Sequence, residues 1–137
     1  MAKGIAEIEG IGKVNGGKLS KAGVTSVNKL LTMCCDRKGR NAVSKATGID
    51  AKKILKWVNM ADLFRIKGVG KQYAELLEAA GVDTVKELSK RKPENLHAKI
   101  EEVHAKARKK LVRKTPGAVN VGKWVAEAKK LKPMVSH

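Results

Sequence analysis

Two short clusters of glycine and lysine hold the residues whose types and spacing could do chemistry. They read Gly-Ile-Gly-Lys and Gly-Val-Gly-Lys and comprise Gly10, Gly12, Lys13, Gly68, Gly70 and Lys71. Two glycines one residue apart let a backbone turn tightly and leave its amides uncovered. A helix that begins directly after such a turn presents unpaired N–H groups and a partial positive charge, which together bind a phosphate oxygen. The spacing therefore indicates two anion-binding turns, each with a lysine at the start of a helix.

An internal repeat must position these clusters. A shift of 58 residues aligns them, and the match continues through Leu30 and Leu88. A further echo, Lys-Trp-Val, occurs at residues 56–58 and 123–125, which needs a longer offset and implies an insertion in the second copy. We therefore predict two repeats that form one cooperative unit, at residues 5–62 and 63–132.

Both repeats are predicted to be helical, which makes the fold class all-α. Apolar residues recur at three and four positions, as in Ile54, Leu55, Val58 and Ala61, and strand-like alternation is absent. Caps and breaks that mark the predicted helix ends are Gly23, Gly81, Asp50, Thr84 with Glu87, Pro93 and Pro116-Gly117.

In both copies the turn precedes a helix that ends at Ala-Gly-Val, which is the pattern of a helix-hairpin-helix motif. Ile11 or Val69, between the two glycines, is predicted to plug the turn into the core. A single Gly-Val-Gly between helices is weak evidence, because a tight connector with no binding role has the same pattern. Two copies in register, in a strongly basic chain, favour phosphate binding.

The net charge is +17, from 30 lysines and arginines against 13 acidic residues, which exceeds what solubility requires. Nucleic acid, an anionic membrane surface or an acidic protein could balance it. Three interpretations fit the densest basic run: a solvated helix end, a linker, or a phosphate-binding stripe. Its cations are Lys106, Arg108, Lys109, Lys110, Arg113 and Lys114. With no apolar run near the roughly 18 residues of a membrane span, we expect a soluble, cytoplasmic protein without a membrane partner.

Other side-chain groups give weaker indications. The adjacent Cys34 and Cys35 are not spaced for zinc and are predicted to pack as small apolar residues. His97, Glu101 and His104 share a helix face, but without a further ligand a solvated face is the better interpretation, so we predict no metal site and no cofactor. The aromatic residues are predicted to pack on apolar helix faces, and they are Trp57, Phe64, Tyr73 and Trp124.

The sequence also resembles helix-hairpin-helix proteins that are known only as a domain of unknown function. The segments that carry the resemblance are residues 8–12, 38–40, 46–49, 54–59, 61–63, 66–70 and 94–99. They read Ile-Glu-Gly-Ile-Gly, Lys-Gly-Arg, Ala-Thr-Gly-Ile, Ile-Leu-Lys-Trp-Val-Asn, Ala-Asp-Leu, Ile-Lys-Gly-Val-Gly and Glu-Asn-Leu-His-Ala-Lys. One departure is Asn15-Gly16-Gly17, where glycines replace good helix formers, so we expect the first hairpin to be frayed or to order only on binding.

The resemblance implies contact with the DNA backbone that does not depend on base sequence, through the amides and lysines of both clusters. We predict a non-enzymatic protein that binds double-stranded DNA, with RNA not distinguished, and that is nucleoid-associated, or nuclear in a eukaryote. Neither a recognition helix nor a catalytic constellation is evident. Two alternatives remain, a protein-interaction module that uses the hairpins as scaffold and a small DNA-repair lyase. The oligomeric state stays open, and a monomer is compatible with the two copies.

Overall fold

The computed structural model describes residues 5, 8, 10–108 and 112–136. The described residues form eight α-helices and no β-strand, which confirms the all-α prediction. Contacts divide the chain into two units. The first unit holds the described residues of 1–62 and 134–137, and the second holds those of 63–133.

The first unit contains α1 (Gly12–Lys21), α2 (Val27–Cys34), α3 (Arg37–Thr47) and α4 (Ala51–Leu63). Helix α3 packs against both α1 and α2. Side chains cap three helix starts: Ser26 accepts the Lys29 N–H at 3.1 Å, Asp36 the Gly39 N–H at 2.8 Å, and Asp50 the Lys52 N–H at 2.9 Å. The prediction that Asp50 starts a helix is thereby confirmed.

The second unit contains α5 (Lys71–Ala79), α6 (Val85–Ser89), α7 (Pro93–Lys106) and α8 (Ala118–Lys130). Helix α8 packs against α6 and α7, and α5 packs against α7. Thr84 caps α6 by accepting the Glu87 N–H at 3.2 Å, Pro93 is the first residue of α7, and Gly117 is the N-cap of α8. These three predicted helix starts are confirmed.

Matched positions of the two units share backbone conformation, hydrogen bonds and burial. Gly23 and Gly81 follow α1 and α5 with φ of +91° and +93°, and the next valine donates its N–H to a leucine carbonyl at 2.8 Å in each case. Several positions are buried in both units. At an offset of 58 they include 8 and 66, 11 and 69, 19 and 77, 24 and 82, 27 and 85, and 30 and 88, and at an offset of 67 they include 54 and 121, 57 and 124, 58 and 125, and 61 and 128. Each fully buried aliphatic side chain contributes about 1.5–3 kcal/mol, so these shared positions form much of both cores.

Helix α1 departs from one expectation. The glycines of Asn15-Gly16-Gly17 predict a first hairpin that is frayed or orders only on binding, yet α1 runs without interruption from Gly12 to Lys21. Leu19, near its end, is fully buried, and the α-carbon of Gly16 faces Ile5 and Ile11. Tertiary packing on this side of α1 offsets the weak helix propensity of the glycines.

Among the described helices, none is both long enough and apolar enough to cross a membrane.

Candidate nucleic-acid interface

The turn at residues 66–70, here called the second glycine turn, is held by its two apolar residues. Ile66 and Val69 are 1% and 2% exposed, and the Val69 N–H donates to the Ile66 carbonyl at 3.1 Å. Gly68 between them is exposed and has a φ of +90°, a conformation that favours glycine. The turn leads through Gly70, the N-cap residue, into α5. The predicted plugging of Val69 into the core is confirmed.

The first glycine turn, residues 8–12, has the same architecture at its described positions. Ile8 and Ile11 are 2% and 1% exposed, the Ile11 N–H donates to the Ile8 carbonyl at 3.5 Å, and Gly10 also has a φ of +90°. The burial of Ile11 confirms the prediction made for it. Helix α1 starts directly at Gly12, whose φ is +68°.

The final glycines of the two turns differ in backbone conformation. Gly70 has an ordinary φ of −96°, and a methyl group at its α-carbon would meet no atom within 4 Å. The chain reaches α5 through extended backbone that an L-residue also adopts. Position 70 therefore accepts a side chain without backbone strain, unlike position 68.

A tryptophan of the fourth helix in each unit lies against the glycine turn. Trp57 of α4 and Trp124 of α8 are 4% and 5% exposed, and each places Nε1 3.5 Å from where a Cβ of Gly10 or Gly68 would stand. The core packing that the sequence predicted is confirmed for these two residues. Their support of the turns was not predicted. The repeated Lys-Trp-Val segment was the one signal of this shared role.

The other two aromatic residues are only half-buried. Phe64 lies just beyond the end of α4, so the prediction of an apolar helix face is wrong for it, because the helix stops at Leu63. Tyr73 lies on α5, and its ring centroid is 5.3 Å from that of Trp124, with the planes tilted by 53°.

The helix starts behind both turns lack side-chain caps and acidic residues. Ile11 and Gly70, the N-cap residues of α1 and α5, provide no side-chain hydrogen bond, and neither helix has an acidic residue in its first turn. Lys13 and Lys71 are exposed in those first turns, as predicted from the sequence. An anion that approaches either turn would meet backbone amides, the positive end of a helix and a lysine. The structure thus brings together Gly10, Gly12 and Lys13 in one unit, and Gly68, Gly70 and Lys71 in the other.

The second glycine turn already holds an anionic group. The Lys67 N–H donates to both carboxylate oxygens of Glu127 on α8, at 3.2 Å each. This contact borders a cleft of about 350 Å³ that is lined by Lys67, Gly68, Tyr73, Asn120, Lys123, Trp124 and Glu127. Sequence reasoning missed Glu127, because it stands 60 residues from Lys67 and belongs to no motif.

The basic run lies apart from both turns in the chain. Lys106 is the last residue of α7 and forms a 3.0 Å ion pair with Glu102 one helical turn earlier, and this hydrogen bond lowers the pKa of the Glu102 carboxyl. Arg108, Arg113 and Lys114 are exposed in the connection between α7 and α8. Lys109 and Lys110 lie outside the described residues.

The two cysteines are buried to different degrees, and His97 has an acidic neighbour. Cys34 is fully buried, and burial raises the pKa of its thiol to about 11, while Cys35 is half-buried. His97 lies 3.6 Å from Glu101 on the surface of α7. Within the described part of the chain, no group of three or more histidine, cysteine or acidic residues is arranged to hold a metal ion.

Comparison with known proteins places the chain in a family. Neither the curated proteins nor the solved structures include a match to it. Residues 9–131 match the family model described as Domain of unknown function (DUF4332). Because that match spans most of the chain, the protein belongs to the DUF4332 family, as its resemblance to a domain of unknown function predicted.

Proposed function

We propose that this protein binds double-stranded DNA without base-sequence preference, and that its glycine turns are the hairpins of two tandem helix-hairpin-helix motifs in repeats 5–62 and 63–132. The observation that carries the proposal is the recurrence of the turn. Gly10 and Gly68 share a φ of +90°, a buried flanking residue on each side and a tryptophan underneath, in a chain of net charge +17.

The chemistry follows from the groups that the turns present. Phosphate oxygens accept hydrogen bonds from backbone N–H groups, and a helix N-terminus adds a favourable field. Lys13 and Lys71 stand in the first turns of α1 and α5, where a cation is mildly unfavourable unless an anion is bound. A phosphate between the amides and the lysine removes that cost.

Backbone contacts position a protein on DNA but do not read its sequence. The proposed contacts are amides and lysines of the turns, together with the cations of residues 106–114, and none of these requires a particular base. We therefore expect affinity for duplexes of any sequence and a nucleoid-associated role in the cytoplasm, without catalysis.

Gly70→Ala tests the proposal in a salt titration of binding to a random-sequence duplex. The added methyl enters open space at the start of α5, so the fold is retained while a phosphate is kept from the amides. We expect affinity to fall at least about tenfold, the value of one lost charge-assisted hydrogen bond. The slope of log affinity against log salt falls by at most about 0.9, because only the one phosphate beside Lys71 is lost.

Gly117→Ala is the matched control, because Gly117 is also an uncapped helix N-cap in extended backbone with no atom near its α-carbon. Each variant places alanine at an N-cap position where glycine is more favourable, so any general loss of stability appears in both. Equal affinities for the two variants would refute binding at the turn.

Neutralising the cations of residues 106–114 should lower the slope by about 0.9 per lost phosphate contact. A native protein that binds no duplex would redirect the search to protein partners.

A further inference from the structure

The two glycine turns differ in what the fourth helix places beside them. Helices α4 and α8 have 13 residues each and align at an offset of 67, with the tryptophans at matched positions. At this offset Glu127 of α8 corresponds to Met60 of α4, and Met60 is 3% exposed. A carboxylate thus stands in the second unit where the first unit has a buried thioether.

The carboxylate of Glu127 is bound as an anion would be. Both of its oxygens accept the Lys67 N–H at 3.2 Å, and Lys67 directly precedes Gly68 in the second glycine turn. The group lies at the edge of a cleft whose walls include Gly68, Lys123 and the ring of Tyr73. A phosphate oxygen that reaches for the same amide must replace the carboxylate, since one N–H does not serve two full anions.

Like charges add to this competition. A phosphate beside an ionised carboxylate is repelled, and the repulsion is larger inside a partly enclosed cleft than in bulk water. Because the carboxylate is attached to α8, it is present at the amide at a high effective concentration whether or not DNA is present.

We propose that Glu127 is an internal competitor for phosphate: in the free protein it occupies the Lys67 N–H of the second glycine turn, and DNA engages this turn at a cost that the first turn does not carry. This inference rests on the proposed function and adds a regulation of the same site. The second turn joins the complex only when a phosphate displaces the carboxylate, so Glu127 sets the affinity of the whole protein below the value that two open turns would give.

Two variants of Glu127 separate displacement from net charge. Glu127→Asp keeps the charge but shortens the side chain, so that it no longer reaches the Lys67 N–H, and Glu127→Gln keeps the shape but removes the charge. Glu94→Gln is the control, because Glu94 is an exposed carboxylate at the start of α7 in the same unit. Each protein is titrated with the random-sequence duplex at fixed salt, and its helix content and unfolding midpoint are measured first.

We expect Glu127→Asp to bind the duplex about three- to tenfold more tightly than the native chain, which is the range for one released hydrogen bond to a charged group in a half-exposed place. Glu127→Gln should gain less, because its amide oxygen still accepts the Lys67 N–H but without the charge. Glu94→Gln should gain less than either. In a Gly70→Ala background the gain from Glu127→Asp should disappear, because the second turn is then closed to phosphate. In native protein, the Lys67 amide resonance should shift on addition of duplex, as the carboxylate is replaced.

The outcomes distinguish this inference from the function on which it rests. If the native chain binds DNA but Glu127→Asp leaves the affinity unchanged, or its gain persists with Gly70→Ala, Glu127 is not a competitor and only the inference fails. If neither the native chain nor any Glu127 variant binds the duplex, the proposed function fails as well. Should a Glu127 variant unfold, an unshifted Lys67 resonance in the DNA complex of the native protein would by itself overturn the inference.

Discussion

Cys34 shows how strongly the pKa of a single side chain depends on its surroundings in this molecule. Its side chain is fully buried, and the removal of water raises the pKa of the thiol to about 11. The thiol is therefore neutral near pH 7 and packs as a small apolar group, as the sequence predicted. Arg40 is the largest opposing influence, because its positive charge favours the thiolate.

The raised pKa predicts a loss of stability in alkali. Unfolding returns the thiol to its ordinary pKa near 9, so its contribution is complete below pH 9 and is lost as the pH rises to about 11. We expect the free-energy advantage of the native chain over Cys34→Ala to shrink by about 2 kcal/mol across this interval. Urea unfolding of both proteins at several pH values measures it, and the comparison cancels the titration of lysines. A constant difference would show that the thiol is not buried in solution.

At the scale of elements, helix ends decide where each segment stops and turns. Arg40 of α3 is 4% exposed and donates from its guanidinium to the Cys34 carbonyl at 3.1 Å, which satisfies a carbonyl at the end of α2. Asp36 closes the start of α3 by accepting the Gly39 N–H. The link between α2 and α3 is therefore fixed from both sides by side chains.

Replacing Arg40 should destabilise the protein much more than replacing its exposed neighbour Lys38. Arg40→Met leaves the Cys34 carbonyl without its donor, and we expect a loss of about 1–3 kcal/mol. Lys38→Met removes the same charge from the surface and should cost less than about 0.5 kcal/mol. Denaturant titration measures both. Equal losses would contradict the capping role of Arg40.

Local chemistry of the sequence was enough to predict most helix ends, but not the contacts between distant residues. Gly23, Gly81, Asp50, Thr84 and Pro93 act within a few residues of their own position, so their type and spacing predicted the helix ends. The Lys67–Glu127 hydrogen bond spans 60 residues and depends on the packing of α8, which no short pattern records. For the same reason the burial of Arg40, a residue type that is usually exposed, was not predicted.

At the scale of the whole molecule, both units carry the charge that the proposed function requires. The first unit has 12 lysines and arginines against 5 acidic residues, a net charge of +7, and the second has 18 against 8, a net charge of +10. Neither half is a neutral scaffold for the other. We therefore expect both units to contribute to the salt dependence of binding.

The two tryptophans make this expectation measurable unit by unit. Trp57→Phe leaves Trp124 as the reporter of the second glycine turn, and Trp124→Phe leaves Trp57 as the reporter of the first. We expect the fluorescence of both variants to change when the duplex is added, because each indole lies against a turn. A matched addition of buffer is the control. If DNA binds and neither signal changes, neither glycine turn takes part in the binding.

The connection between α7 and α8 has a consequence for the history of the chain. It has eleven residues, 107–117, where α3 and α4 are joined by the three residues 48–50. Under the proposed duplication, the offset between matched residues grows from 58 to 67, so the second copy is nine residues longer over this stretch. Much of the densest run of cations stands in the lengthened segment. An insertion in one copy or a deletion in the other thus accounts for the difference in length, and the buried positions that match between α4 and α8 were kept in either case.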